Sequence, residues 1–462
     1  KLSNLLLLTQ PTYSVSKVRQ KEEKMDTFRF KDKILVGITL FSMFFGAGNL
    51  IFPPFLGAQA GEHTWIAFIG FAVSAVCLPI LGVLAVTKSG GLEKLTSRVH
   101  PKFSFIYILI LYLAIGPCLA IPRTSSTSFS IAVQPFWGGE GSLWAARLVY
   151  SVVFFVLAAG IAMHPEKLTE YLGKRLTPIL LILIGVVFIA CLLKPTGDPG
   201  KPASLYENMA AAQGFLDGYQ TMDTLAALNF GMIVAMNIRE KGITREKQVV
   251  KETISAGWIA GVVLLVIYSL LAFIGMRSSG RFPGASNGTE TLTDMVQFLF
   301  GKGGMVLLGI IFVIACFNTC VGLLCCCGKY FNSVFPKISY RGWVYIFAVI
   351  SMVISNIGLD GILKFSVPAL NAIYPLAILL ILLSCVHRYI ERYPEIYPWA
   401  ALLCGISSIV LVLEEQGISI PVVTSLMRNM PGFGAGFGWL LPTVIGAGIG
   451  VLADLGKKKR KA

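Results

Sequence analysis

The chain has 462 residues, 55% of them hydrophobic and only 14% charged, with a mean hydropathy of +0.73, too apolar for a soluble domain, in which roughly a quarter of residues are charged. Its net charge of +15 is no nucleic-acid footprint, because most Lys and Arg gather in short runs between apolar stretches, on alternate connections, as cytoplasmic loops require. Stretches of about 20 residues match a helix crossing a hydrocarbon core of ~30 Å and are twice the length of a barrel strand, so an all-α integral membrane protein is expected, with membrane lipid as its surroundings and no nucleic-acid partner.

Residues 1–24 hold only one apolar run, Leu5–Leu8, too short for a signal sequence. With Met25 the first methionine, residues 1–24 are expected to be a disordered or mis-translated extension. Residues 25–455 form the expected transmembrane domain, and 456–462 a basic cytoplasmic tail. Twelve spans are expected, at 33–58, 64–87, 104–133, 143–163, 176–193, 208–237, 253–276, 303–334, 342–357, 361–384, 397–413 and 437–455. One set of connections is basic: SRVHPK (97–102), EKLTEYLGKR (166–175), NIREKGITREKQVVKE (237–252), HRYIER (387–392) and the tail run KKKRK (457–461). The other set is rich in Gly, Pro and Ser, as in KPTGDPGKPAS (194–204) and RSSGRFPGASNGTET (277–291). This bias places both termini in the cytoplasm. The ten cysteines lie in or beside apolar segments and read as packing residues. Cys325, Cys326 and Cys327 would point about 100° apart on a helix and cannot converge on one metal.

Two spans carry interruptions near their midpoints. Span one reads VGITLFSMFFGAGNLIFPPFLG (36–57), and span six contains QGFLDGYQTMDTLAALNFG (213–231). Breaks in corresponding spans of two five-helix halves indicate an inverted-repeat transporter, with two C-terminal helices added. Gly46 and Gly48 permit irregular backbone and close approach of a ligand. The half-helix expected to begin near Asn49 would aim its N–H groups at mid-membrane, a site for an anion such as an α-carboxylate. Pro53 and Pro54 are expected in its first turn, where the missing N–H costs little. The opposing helix end near Ser42–Phe45 offers carbonyls to a cation. Asp223, an ionisable group at mid-depth, is functional by default. Arg123 is expected near the outer surface in a structural role, and Lys364 is expected to snorkel.

The run LFSMFFGAGNLIFPP (40–54) resembles that of the bacterial branched-chain amino acid:cation symporters. IGPCLAIPRTSSTSF (115–129), GFLDGYQTMDTLAALNFG (214–231) and FNTCVGLLCCCGKYF (317–331) are similar to three further motifs of that family, in the same order. The resemblance implies the leucine-transporter-like fold, a bacterial inner-membrane location and import of Leu, Ile or Val with Na⁺ or H⁺. It also implies that backbone at Gly46, Ala47 and Gly48 holds the carboxylate, and that Tyr219, Thr221, Met222 and Asp223 surround the amino group and side chain. Phe44, Phe45 and Asn49 complete the expected substrate site. Ser42, Phe45, Asn318 and Thr319 are the implied Na⁺ ligands, although the family's usual Thr-Thr pair is Asn-Thr here. No cofactor is expected. The sequence holds no HExxH or GxSxG, and its Gly-rich break lacks the Lys and Ser/Thr of a phosphate loop, so a carrier is expected rather than an enzyme. A carrier of another apolar or aromatic amino acid, or a channel, are the alternatives.

Overall fold

The computed structural model describes residues 29–138, 142–164, 177–194 and 197–459. The expected extension 1–24 and the inner loop 166–175 lie outside the described residues. Every regular element described is helical. The first half of the chain contains α1 (Phe30–Phe44), α2 (Ala47–Ala60), α3 (Thr64–Ala72), α4 (Leu78–Ser89), α5 (Leu92–Thr96), α6 (Pro101–Leu113), α7 (Ala120–Ala132), α8 (Leu143–Ala162) and α9 (Thr177–Leu193). The second contains α10 (Ser204–Tyr219), α11 (Asp223–Glu240), α12 (Glu246–Ser279), α13 (Gly288–Val334), α14 (Tyr340–Ser355), α15 (Leu359–Ile390), α16 (Ile396–Glu415), α17 (Pro421–Arg428) and α18 (Leu440–Lys459).

Among the described residues eight helical runs are long and apolar enough to cross a membrane, or nine if the α10–α11 pair, bent by 47°, is one span. Expected spans one and two join in the helical run Ala47–Ser89, which Gly61, at φ 49°, and a short 3-10 turn at Gly61–His63 divide into α2 and α3–α4. The α9 and α14 helices are apolar but shorter. Expected span eight is longer than its apolar stretch implied: α13 begins at Gly288 and bends at Gly301, whose φ of 62° suits glycine alone. Local chemistry sets several ends. Asn287 accepts from the backbone N–H groups of Thr289 and Glu290 to start α13, and Gly90 at φ 75° closes α4.

The packing places the two halves in matched relationships. Both α1 and α2 lie against α12, while α11 and α10 lie against α4 and α3 respectively. Each outer contact is made backbone to backbone through glycine. A Cβ on Gly57 would overlap Ala272 O, and one on Gly275 would overlap Pro54 O. Between α3 and α10, Cβ atoms on Gly70 and Gly214 would overlap Ala211 O and Ala67 O. Small residues allow this approach, which is how helices associate when burial of apolar surface supplies little drive. Towards the C-terminal end of the chain α16 packs against α15 and α18. The base of α1 is fastened by Lys33 to Glu252 (2.9 Å) and by Asp32 to Lys241 (2.8 Å). Outward faces are apolar: Val149, Val153 and Val156 on α8 are each more than half exposed.

Candidate functional site

The helix of α1 stops at Phe44 and restarts at Ala47. Phe45 and Gly46 are extended, and the Gly46 N–H donates to Asn49 Oδ1 at 3.0 Å. The second half therefore starts two residues before the expected position, with Asn49 inside its first turn as a cap. This corrects the placement of the prolines. Pro53 and Pro54 are the seventh and eighth residues of α2, so they remove the usual intrahelical donors of Asn49 O and Leu50 O. The N–H groups of Ala47, Gly48 and Asn49 lead the half-helix, where an α-helix has no internal acceptors for them.

The second interruption separates α10 from α11 at Gln220–Met222. Met222 has φ 67°, alone among the described non-glycine residues in being positive, and such a conformation costs ~1–3 kcal/mol unless its surroundings enforce it. Gly218, the glycine nearest this turn, is helical and packs against Ser74. Asp223 is the first residue of α11 and is 1% exposed. Its Oδ2 accepts from Asn49 Nδ2 at 2.7 Å and from the Tyr268 hydroxyl at 2.6 Å. Asn49 Nδ2 also meets the Tyr268 hydroxyl. One carboxylate oxygen thus ties α2, α11 and α12 together.

Arg123 departs most from expectation. It lies not near the outer surface but 3% exposed between the two breaks. Span three is itself bent, by a π-turn at Ala114–Cys118 with Gly116 at ψ −126° and by irregular Leu119, and this carries the run RTSSTS to the interior. Arg123 Nη1 donates to Gln220 O at 3.0 Å, and its guanidinium carbon stands 5.8 Å from the Phe52 ring centroid. A Cβ on Gly48 would stand 2.7 Å from Nη2. On the other side, α13 brings polar atoms to the end of α1. Asn318 Nδ2 donates to Ser42 Oγ at 3.1 Å, and Thr319 Oγ1 donates to Met43 O at 3.5 Å. Asn318 Oδ1 is buried without a protein hydrogen-bond partner, and a Cβ on Gly46 would meet Thr319 Oγ1 at 2.5 Å.

A cavity of about 30 Å³ lies between these groups, room for about two waters. It is lined by Phe44, Gly46, Ala47, Gly48, Asn49, Thr221, Met222, Asp223 and Thr319, all expected in the site, and by Met43, Ile115, Ala120, Arg123, Thr124, Ala226, Phe230 and Leu323, which are additional. Phe45 and Tyr219 are not on its wall. Phe45 stacks on Phe41 and Tyr268, and Tyr219 on Tyr374. Ser42 and Asn318 stand beside it, joined to each other. The signal for Arg123 was present in IGP (115–117), where Gly-Pro interrupts span three ahead of a polar run too long to face lipid.

Residues 29–457 match the sequence profile of the family described as branched-chain amino acid transport protein. The branched-chain amino acid permease BrnQ of Bacillus subtilis is 38% identical over 429 residues, covering 92% of this chain and 97% of that one. The branched-chain amino acid transport system 2 carrier protein of Pseudomonas aeruginosa is 37% identical, covering 93% and 98%. The permease BrnQ of Escherichia coli K12 is 35% identical, covering 92% and 96%. Among solved structures, the inward-facing conformation of Mhp1 aligns with a TM-score of 0.58 at 13% identity, over 92% of this chain and 91% of that one. MhsT in complex with L-phenylalanine aligns with a TM-score of 0.51 at 15% identity, over 91% and 97%. These two likenesses concern the fold.

Proposed function

We propose that this chain, which belongs to the branched-chain amino acid transport protein family, imports Leu, Ile or Val together with a cation, Na⁺ in preference to H⁺, by alternating access. Its relatives are transporters and permeases, not enzymes. The reading is carried by one observation: the start of α2 and the carboxylate of Asp223 face one small cavity walled by Phe44, Met222 and Phe230. The N–H groups of Ala47 and Gly48 suit an α-carboxylate, Asp223 suits an ammonium, and the apolar wall suits an aliphatic side chain. A cavity of this size admits leucine only if its walls part, as a carrier that closes around its substrate requires. For the cation, Ser42 Oγ, Asn318 Oδ1, Thr319 Oγ1 and the Met43 and Phe45 carbonyls supply oxygen atoms around the end of α1, the hard ligands that Na⁺ takes. Among the described residues no cluster of three His, Cys, Asp or Glu side chains could hold a metal ion.

The architecture follows the same reading. Counting α1–α2 and α10–α11 as broken spans, dividing Ala47–Ser89 at Gly61 so that α3–α4 is span two, and admitting the short α9 and α14 brings the total to twelve. The matched pairing of α1–α2 with α12 and of α10–α11 with α3–α4 is what an inverted repeat of spans one to five and six to ten produces. The α16 and α18 helices are then the two additions. The exposed valines of α8 suit a lipid-facing side, and the basic connections support a bacterial cell-membrane location with both termini in the cytoplasm. Binding of labelled leucine to purified protein, competed by unlabelled amino acids, tests the assignment. Displacement by Ile and Val but not by Ala or Glu is expected. Stronger displacement by Phe than by Val would make the chain a carrier of aromatic amino acids.

A further inference from the structure

We infer that Arg123 is the charged receptor for the substrate's α-carboxylate, acting from α7 against the N–H groups at the start of α2. This rests on the transport reading of the same cavity. A helix N-terminus carries only about half a unit charge, whereas a guanidinium carries a full one and grips a carboxylate with parallel N–H donors. Arg123 is placed for that role on three counts. Its Nη2 lies against Gly48 where a side chain would otherwise stand. Its Nη1 is held by the Gln220 carbonyl, which orients the fork across both breaks. The Phe52 ring lies beside the guanidinium carbon and supports the plane through its face.

Charge gives the second argument. A buried cation away from water is costly without an anionic partner, and among the described residues no ion pair joins Arg123 to a carboxylate. Asp223 lines the same cavity and is engaged with Asn49 and Tyr268 instead. One positive and one negative group therefore bound a single apolar-walled space, the charge pattern of a zwitterion reversed. A ligand with an α-carboxylate and an α-ammonium satisfies both groups together, while an amine or amide lacking the carboxylate satisfies only Asp223. The site should consequently select free α-amino acids over their carboxamides.

The test compares leucine with leucinamide, which keeps the ammonium and side chain and replaces the carboxylate by a neutral amide. Wild-type protein is expected to bind leucine roughly 10- to 100-fold more tightly, the range for a hydrogen-bonded charge. In Arg123→Met that ratio should collapse towards equality through loss of leucine affinity, and Arg123→Lys, which keeps the charge and loses the fork, should fall between. An unchanged ratio in Arg123→Met, or an equal loss of both ligands, would overturn the assignment. If Arg123→Met does not fold, Arg123→Lys decides: a ratio equal to wild type contradicts the inference. Wild-type protein that bound neither ligand would instead overturn the transport reading itself, and this assignment with it.

Discussion

Asn49, in the first turn of α2, donates to Asp223, the first residue of α11, with 2.7 Å between Nδ2 and Oδ2. The two half-helices that begin at the cavity are thereby joined at their starts, and Tyr268 of α12 reaches the same oxygen at 2.6 Å. Removing the charge by Asp223→Asn should weaken leucine binding by about 2–5 kcal/mol, the cost of deleting one partner of a buried charged contact. Tyr268→Phe should cost less, about 1.5–3 kcal/mol, because one donor of two is lost. The double variant should fall short of the sum, since both changes act on one contact. Calorimetric titration of the four proteins checks this, and strict additivity would show that Tyr268 does not act through Asp223.

Gly48 tests the close backbone approach. A Cβ there would meet Arg123 Nη2, Gln220 O at 3.1 Å and Thr221 Cα at 3.2 Å, two of the three belonging to the other break. Gly48→Val should abolish leucine binding while the protein still inserts. Gly185→Ala on α9, where a Cβ meets nothing within 4 Å, is the matched control and should bind normally. Normal leucine affinity in Gly48→Val would remove the start of α2 from the site.

Thr319 separates the cation from the substrate. Its hydroxyl reaches Met43 O and abuts Gly46, so Thr319→Val removes one oxygen at nearly constant volume. The cation's half-saturation should rise at least ~10-fold, the scale on which even supporting contacts to a bound metal are felt. Leucine affinity at saturating cation should change little. An unchanged half-saturation would place the ion elsewhere.

The glycine contacts make a stability prediction. Gly275→Ala and Gly214→Ala each put a methyl group into the backbone of a neighbouring helix, and such overpacking costs about 1–3 kcal/mol. Both variants should unfold at lower temperature than wild type in detergent, and by similar amounts if the two contacts are counterparts in the two halves. A wild-type melting temperature in either would mean that the helices part without cost.

The first break was legible because its chemistry is local: glycine at Gly46 and Gly48 permits the irregular backbone, and Asn49 supplies the cap. The second was legible only as a region. Its turn falls on Met222, whose positive φ no propensity would assign to methionine, while nearby Gly218 is small because Ser74 leaves no room, not because the backbone turns there. Counting residues along a straight span puts Arg123 near the outer surface. The bend around Gly116 and Leu119 moves it inward, a tertiary effect that counting residues from a loop does not register. Likewise Phe45 and Tyr219 have suitable chemistry for an aliphatic pocket, but ring stacking on Tyr268 and Tyr374 turns them to the packing behind it.

Coupled uptake of branched-chain amino acids is decided by labelled leucine taken up into proteoliposomes, with Na⁺ and pH gradients imposed separately. Leucine exceeds alanine by three carbons at ~0.8 kcal/mol each, about 2.4 kcal/mol or roughly fifty-fold in affinity. An inward Na⁺ gradient should drive accumulation that Ile and Val inhibit, with Ala some fifty-fold weaker than Ile and roughly fifteen-fold weaker than Val. Leucine that merely equilibrates under either gradient, or uptake that Ala blocks as well as Val does, would contradict the claim.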